Sequence, residues 1–236
     1  GQLRMIRTAG ELDAHWRSWE DENPHSPIGY ILAMEGADPI VEPDQAEDWW
    51  NLGLRSVNLA HYGASRYAVG TGFDGPLTDA GVALLKEFDR LGMILDATHL
   101  SDTSFFQALD LFGGPVLASH NNCRALVADG RQFSDEQIKL LIERGAVIGA
   151  AFDAWMLIPG WIRGVTDRSV VNIDAAADHI DHICQLSGNV RHAAIGSDLD
   201  GGFGTEQTPT GMDRISDLQK LDAIVSRRGY SGADLD

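Results

Sequence analysis

The chain of 236 residues is long enough to bury a full core, and its 44% hydrophobic residues are typical of a globular protein. Its formal net charge of −17, from 18 basic and 35 acidic residues, argues against nucleic-acid and anionic-membrane partners. The sequence contains no apolar stretch approaching the roughly 20 residues of a membrane-spanning helix. Two cysteines, Cys123 and Cys184, are too few for a disulfide framework. The cysteine count and the acidic composition favour a cytoplasmic protein.

Short apolar runs typical of β-strands alternate with longer helical patterns from residue 28 onward. The predicted strands are residues 29–34, 54–60, 92–98, 115–119, 146–152 and 192–197. Between them, Thr78 and Asp79 begin a helical segment that Gly92 ends, and Ser134 to Gln137 has the pattern of a capping box. This alternation predicts parallel βα units.

Each predicted strand ends on a polar residue that can bind a metal ion or transfer a proton. These residues are Glu35, His61, His99, His120, Asp153 and Asp198. In a (β/α)8 barrel the carboxyl ends of all strands share one rim, where such enzymes keep their active sites. The competing doubly wound sheet normally carries a glycine-rich phosphate turn, and none follows the first predicted strand. The sequence therefore predicts an α/β chain of the TIM-barrel type, forming a single catalytic domain over residues 1–236.

Three strand-end residues predict a metal site. His99 and His120 are one βα unit apart, so we expect neighbouring strands to present both imidazoles to one point, and neutral imidazole is a preferred zinc ligand. Glu35 ends an apolar run, where a carboxylate is costly unless it is paired or binds a metal. Gly36 lets the chain turn sharply after it. The alternative is that each of these side chains has a structural role.

Two further residues are candidates for substrate chemistry. Asp198 lies among glycines in IGSDLDGGFG, where a carboxylate beside an activated water can take up and return a proton. Asp200 points the same way and stays an alternative, as does a turn-forming role for either residue. Arg131 lies in a polar loop, where its guanidinium can bind a substrate carboxylate or be solvated. His179 and His182 fall mid-helix, and we interpret them as structural.

Five segments, in order along the chain, resemble the membrane (renal) dipeptidase family of the amidohydrolase superfamily. They are MEGADPI, NLAHYG, LTDAGVALLKEFDRLGMILDATHLSD, PVLASHNNCRALVADGRQFSDEQ and IGSDLDG. The resemblance extends from about residue 28 to residue 230. It implies a distorted (β/α)8 barrel with two divalent metal ions, usually zinc, that hydrolyses dipeptides, often with a D-residue on the C-terminal side.

The resemblance also implies a role for each metal-site candidate. Glu35 resembles the carboxylate that bridges both metals, and His99 and His120 resemble the histidine ligands of the second metal. His61 resembles the histidine that polarises the scissile carbonyl and so contacts the substrate.

The last two roles concern the terminal carboxylate of the substrate and the transfer of a proton. Arg131 resembles the arginine that holds the substrate's terminal carboxylate, which would restrict the substrate to dipeptides. Asp198 resembles the acid/base at the last strand. In the expected mechanism a hydroxide shared by the two metals attacks the peptide carbonyl, and Asp198 passes the proton to the departing amine.

The chain departs from the family pattern at its N-terminal side. Members open with a His-x-Asp motif that supplies two ligands of the first metal, and we expect this sequence to lack the motif throughout. Asp13-Ala14-His15 has the reverse order in a helical context. We therefore expect residues 1–27 to form the helix before the third barrel strand, in a fragment without the first two strands and the C-terminal helices. Such a fragment would expose sheet edges.

Two alternatives to dipeptide hydrolysis stay open. A related amidohydrolase would act on an N-acyl amino acid or a β-lactam, whereas a non-catalytic binding protein would keep the rim without the first metal. Two metal ions per chain would favour a hydrolase, and one or none would favour the binding protein. For the oligomeric state, a homodimer and a monomer are both open alternatives.

Overall fold

The structure is a computed structural model that describes residues 2–20 and 26–235. It divides into two compact units, which we call the N-terminal unit (residues 1–115) and the C-terminal unit (residues 116–236). The single domain expected for residues 1–236 stays a prediction. Within the described ranges, none of the helices combines the length and the apolar character needed to cross a membrane.

In the N-terminal unit, short parallel strands alternate with helices. The strands are β1 (Leu3–Met5), β2 (Ile28–Tyr30), β3 (Leu32–Met34), β4 (Leu54–Asn58) and β5 (Ile94–Asp96). The helices are α1 (Ala9–Glu20), α2 (Ala46–Leu52), α3 (Asp79–Leu91) and α4 (Asp102–Leu111). Strand β1 pairs with β2, while β4 lies between β3 and β5, and all of these pairs are parallel. The βα pattern predicted for this part is therefore present.

The segment predicted as one strand at residues 29–34 belongs to two sheets. Its first part, β2, pairs with β1, and its last part, β3, pairs with β4 with a register irregularity between Leu32 and Ala33. Residues 1–27 were expected to be helical, but they contain β1 as well as α1. A strand of three residues with Leu3 exposed is too short to show the apolar alternation by which strands are recognised.

Helix α3 begins and ends where the sequence indicated. The Thr78 hydroxyl accepts a hydrogen bond from the Gly81 amide, which satisfies one of the free N–H groups at the helix start. Gly92 follows the last turn with φ +75°, a left-handed conformation that glycine adopts without steric cost. Leu85 and Phe88 are buried, and each contributes about 1.5–3 kcal/mol through that burial. The helix thereby supports the strands whose ends carry the candidate residues.

In the C-terminal unit, the strands are β6 (Val116–Leu117), β7 (Ile148–Ala150) and β8 (Ala193–Ile195). The helices are α5 (Asp135–Glu143), α6 (Ala154–Leu157), α7 (Asp174–Ser187) and α8 (Lys220–Arg227). Strand β7 pairs in parallel with β8, and Ala118 forms a parallel bridge with Ile148. The predicted capping box at Ser134 and Gln137 is present at the start of α5.

Two glycines allow three chain segments of the C-terminal unit to approach closely. A Cβ atom on Gly149 would lie 2.2 Å from the Ser119 carbonyl oxygen, and one on Gly196 would lie 2.0 Å from the same atom. Any side chain at either position would therefore push away the backbone beside His120. These glycines fix the place of His120 against β7 and the end of β8.

Candidate functional site

Three predicted strand-end residues meet in the N-terminal unit, and we call them the Glu–His cluster: Glu35 after β3, His61 after β4 and His99 after β5. Glu35 Oε1 lies 3.1 Å from His99 Nε2 and 3.9 Å from His61 Nε2. The two imidazole ring centroids are 4.4 Å apart in an edge-to-face arrangement. The carboxyl ends of adjacent parallel strands lie at one edge of the sheet, which explains why residues distant in the chain converge here.

The members of the Glu–His cluster differ in exposure and backbone conformation. The His99 side chain is 4% exposed, whereas those of Glu35 and His61 are 43% and 49% exposed. His99 has φ +70°, which is uncommon for a residue with a side chain and costs on the order of 1–3 kcal/mol. Gly36, with φ +87°, turns the chain after Glu35 as the sequence indicated. Strain of this kind concentrates at functional sites, which supports a functional role for His99.

Thr71 contacts both histidines of the cluster and was not identified from the sequence. Its hydroxyl oxygen lies 2.8 Å from His99 Nδ1. Its backbone N–H donates to the His61 carbonyl oxygen at 2.9 Å. No local pattern in VGTGF marks this residue, because its partners are reached through the fold rather than along the chain.

In the C-terminal unit, His120 and Arg131 are joined through the main chain. The His120 carbonyl oxygen accepts a hydrogen bond of 2.9 Å from Arg131 Nη2, and Arg131 Nη1 donates to Asn121 Oδ1. His120 Nδ1 lies 2.9 Å from the Ser119 hydroxyl. Arg131 is 5% exposed, so it is not the solvated loop arginine that the sequence left open. Its guanidinium is held in one orientation beside His120.

Buried amide side chains hold the segment that follows His120. The Asn122 side chain accepts from the Ala151 amide at 2.9 Å and donates to the Ala151 carbonyl at 3.1 Å. Gln132 Nε2 donates to the Met156 carbonyl at 2.8 Å. Both amide side chains are almost fully buried, where such bonds are worth more than in water. The loop carrying Arg131 is therefore rigidly attached to the chain around α6.

His179 and His182 have partners within the protein, in agreement with a structural role. His179, in α7, is fully buried, and its Nδ1 accepts a hydrogen bond of 3.0 Å from the Cys123 amide. Burial lowers the pKa of His179 to about 4, so the imidazole is neutral at pH 7. His182 Nε2 lies 2.8 Å from Asp135 Oδ1. The expectation that the sequence lacks His-x-Asp was wrong, because residues 179–181 read His-Ile-Asp, but they lie in this helix rather than on a strand.

Asp198 follows β8 and has a left-handed backbone, with φ +57°. Its carboxylate lies against the backbone of Gly201, because a Cβ atom there would be 2.4 Å from Asp198 Oδ1. The Gly201 amide also donates to the Asp198 carbonyl oxygen at 2.9 Å. Glycine at position 201 thus allows the backbone to lie close to the Asp198 carboxylate. Asp200 is exposed and lines a cavity of about 580 Å³.

Asp153, after β7, is engaged in a buried network. Its Oδ2 accepts from Gln207 Nε2 at 2.6 Å and from Trp155 Nε1 at 2.7 Å. Burial raises the pKa of the Asp153 carboxyl, and the two hydrogen bonds oppose that shift. These contacts give this strand-end residue a role in holding the chain around α6.

Comparison with known proteins agrees with this geometry. A family model described as membrane dipeptidase (peptidase family M19) matches residues 3–236. Dipeptidase verJ of Clonostachys rogersoniana is 29% identical over 235 residues, which are 98% of this chain and 55% of that protein. An uncharacterized dipeptidase of Schizosaccharomyces pombe is 32% identical over 234 residues, 96% of this chain and 52% of that protein. The chain spans about half the length of these curated relatives.

A solved structure shows the fold. The crystal structure of a metallopeptidase from Rhodobacter sphaeroides, liganded with a phosphinate mimic of the dipeptide L-Ala-D-Ala, is similar to this chain with a TM-score of 0.83. The two are 27% identical, and the match covers 100% of this chain and 65% of the other. This similarity confirms the predicted α/β fold class of the TIM-barrel type.

Proposed function

Because the chain belongs to the membrane dipeptidase family, peptidase family M19, we propose that it hydrolyses the peptide bond of dipeptides with divalent metal ions. The observation that carries this proposal is the distance of 3.1 Å between Glu35 Oε1 and His99 Nε2. Carboxylate and imidazole ligands each lie about 2 Å from a zinc ion, which places two ligands of one tetrahedral ion about 3.3 Å apart. The pair therefore has the spacing of two ligands of one cation.

We propose Glu35, His99 and His120 as the metal ligands. Each of these side chains offers one ligand atom, and a carboxylate oxygen with two imidazole nitrogens is a donor set that zinc binds well. The finer proposal is two Zn²⁺ ions, and Glu35 would help to hold both, since a carboxylate offers two oxygen ligands. Bound divalent ions would activate the attacking water at neutral pH.

Three other side chains act on the substrate in this proposal. His61 donates a hydrogen bond to the scissile carbonyl oxygen, where negative charge develops, and its half-exposed ring is accessible for this. Asp198 takes a proton from the attacking water and returns it to the leaving amine. Arg131 binds the terminal carboxylate with paired hydrogen bonds, and its orientation is already fixed by Asn121 and the His120 carbonyl.

The proposed substrates are dipeptides with a D-residue on the C-terminal side. The Rhodobacter sphaeroides metallopeptidase carries a mimic of L-Ala-D-Ala, and we extend that substrate class to this chain. Two alternative functions, a related amidohydrolase and a non-catalytic binding protein, would give different results in one assay, so both are outcomes of the test.

The test removes metal from the protein, restores Zn²⁺, counts metal per chain and measures hydrolysis of L-Ala-D-Ala, its C-terminal amide, N-acetyl-D-alanine and a β-lactam. We expect Zn²⁺ to restore hydrolysis of the free dipeptide at two ions per chain. Preference for N-acetyl-D-alanine or the β-lactam would favour the related amidohydrolase. Absence of all hydrolysis with one ion or none would favour the binding protein.

Assembly and location are also proposals. We propose a cytoplasmic protein, in agreement with Cys123 and Cys184, which are both buried free thiols. Light scattering of the purified protein distinguishes a homodimer from a monomer, and cell fractionation tests the compartment.

A further inference from the structure

We propose that Thr71 is a positioning residue that fixes the tautomer of His99, so that Nε2 is the nitrogen this imidazole presents to a metal ion. The inference rests on the proposed function, since it concerns a proposed ligand. Thr71 lies outside the five segments that resemble the dipeptidase family.

The tautomer is inferred from the two contacts of the Thr71 hydroxyl. Its oxygen lies 2.8 Å from His99 Nδ1 and 3.4 Å from the His99 carbonyl oxygen. We place the one hydroxyl proton toward the carbonyl oxygen, which can only accept, because both contacts of the Thr71 hydroxyl are then hydrogen bonds. The hydroxyl lone pairs then accept from His99 Nδ1–H. A neutral imidazole carries one N–H, which leaves Nε2 unprotonated and available as a ligand.

The opposite end of the imidazole agrees with this assignment. His99 Nε2 is the atom that lies 3.1 Å from Glu35 Oε1. With the proton on Nδ1, this contact joins two lone-pair-bearing atoms, an arrangement that a shared cation stabilises. The hydroxyl of Thr71 and the carboxylate of Glu35 thus act on opposite sides of one ring.

Main-chain bonds hold Thr71 in place independently of its side chain. Its N–H donates to the His61 carbonyl, and its carbonyl accepts from the Gly63 amide, both at 2.9 Å. A Cβ atom on Gly70 would lie 2.1 Å from the His61 carbonyl oxygen, so glycine is required beside Thr71. Removal of the Thr71 hydroxyl should therefore leave the loop in position and change mainly the contact with His99.

The C-terminal unit contains a similar pair. The Ser119 hydroxyl lies 2.9 Å from His120 Nδ1. Both histidines among the proposed ligands thus have a hydroxyl at Nδ1, and both present Nε2 on the opposite side. Ser119 is exposed, so water can replace its hydroxyl, and we expect a smaller effect from its removal than from that of Thr71.

The test compares Thr71→Val, which keeps the shape without the hydroxyl, with Thr71→Ser, which keeps the hydroxyl. Thr103→Val is a matched control, because the Thr103 hydroxyl bonds to Asp74 instead of to the Glu–His cluster. Zn²⁺ affinity is measured on metal-free protein by competition with a chelating dye. We expect Thr71→Val to bind Zn²⁺ about 10–100-fold more weakly than the wild type. Thr71→Ser and Thr103→Val should bind like the wild type.

A second readout is independent of metal. Nitrogen-15 NMR of labelled histidine in the metal-free protein reports which ring nitrogen of His99 carries the proton. Because the Glu35 carboxylate favours a proton on Nε2 when no cation is bound, we expect both tautomers, with a larger share of Nδ1–H in the wild type and in Thr71→Ser than in Thr71→Val. Unchanged affinity and tautomer in Thr71→Val would overturn the inference while leaving the proposed function intact. Failure of the wild type to bind Zn²⁺ would overturn the proposed function, and the tautomer measurement would still decide the effect of Thr71.

Discussion

The two units hold their candidate residues in different ways. In the N-terminal unit, Glu35, His61 and His99 contact one another, with Glu35 Oε1 3.1 Å from His99 Nε2. In the C-terminal unit, His120 and Arg131 are joined through the His120 carbonyl, and buried amides hold the loop between them. The first arrangement depends on the charges of the functional side chains themselves. The second is set by hydrogen bonds that form whether or not a ligand binds.

The two units should therefore respond differently to mutation. A change within the Glu–His cluster alters the neighbouring ligand directly, because few atoms separate the groups. A change around His120 acts through the backbone and should affect position and stability more than charge. The following variants test that contrast.

The largest effect is expected for Glu35→Gln. The amide keeps the size of the carboxylate but removes the charge that would hold metal beside His99. We expect kcat/KM to fall about a thousandfold or more, equivalent to about 4 kcal/mol of transition-state stabilisation, with loss of bound metal. Glu47→Gln is the control, because Glu47 forms an exposed pair with Arg90. Activity within tenfold of wild type at full metal content would contradict the role of Glu35.

Asp198→Asn should have the next largest effect. The amide cannot take up the proton, so we expect kcat to fall about a hundredfold or more while metal stays bound. Asp200→Asn is the matched variant from the same loop and should retain activity. If metal were lost from Asp198→Asn, Asp198 would be a ligand, and if Asp200→Asn were the inactive variant, the two roles would be exchanged.

Arg131→Lys tests the proposed carboxylate clamp while keeping the positive charge. Lysine cannot reproduce paired hydrogen bonds, and loss of a charged hydrogen bond costs about 1.5–3 kcal/mol. We expect KM for free dipeptides to rise about 10–100-fold, with little change for dipeptides amidated at the C-terminus. Because Arg131 also bonds to the His120 carbonyl, equal losses on both substrates would indicate a general disturbance of that segment rather than a clamp.

The smallest effect is expected for His179→Gln, measured as stability against pH. The pKa of His179 is lowered to about 4 by burial, so the unfolded chain binds the proton first as the pH falls below about 6.5. The free energy of unfolding should therefore decrease between pH 6.5 and about 4, by on the order of 2 kcal/mol at pH 5. The glutamine variant should lack this contribution. Denaturant unfolding at pH 7 and pH 5 compares the two proteins, and equal pH dependence would contradict the prediction.

Much of the candidate site was visible in the sequence because its residues stop apolar runs. Glu35 and His99 each follow such a run, and parallel strands bring their ends together, so a local pattern was enough to predict a meeting in space. Arg131 was found through its loop and the family resemblance, but its burial was not predictable. Nothing in the local sequence shows that Asn122 and Gln132 hold that loop.

The parts that the sequence missed depend on contacts between distant residues. GYILAM reads as one continuous strand, yet the chain divides it between two sheets at a register irregularity that side-chain polarity does not record. Thr71 reaches His99 across 28 positions of the chain, and its own neighbours are glycines without a distinctive pattern. Such partners are set by the fold and become apparent only from coordinates.

Among the described residues, the two side-chain-bearing positions with a left-handed backbone are His99 and Asp198. Glycine would relieve the backbone strain at either position. Stability of the fold and the proposed reaction therefore favour different residues at these two positions. Selection for heat resistance alone would favour replacing an imidazole and a carboxylate that the proposed reaction requires. A more heat-stable variant should therefore keep His99 and Asp198 and carry its stabilising substitutions at other positions.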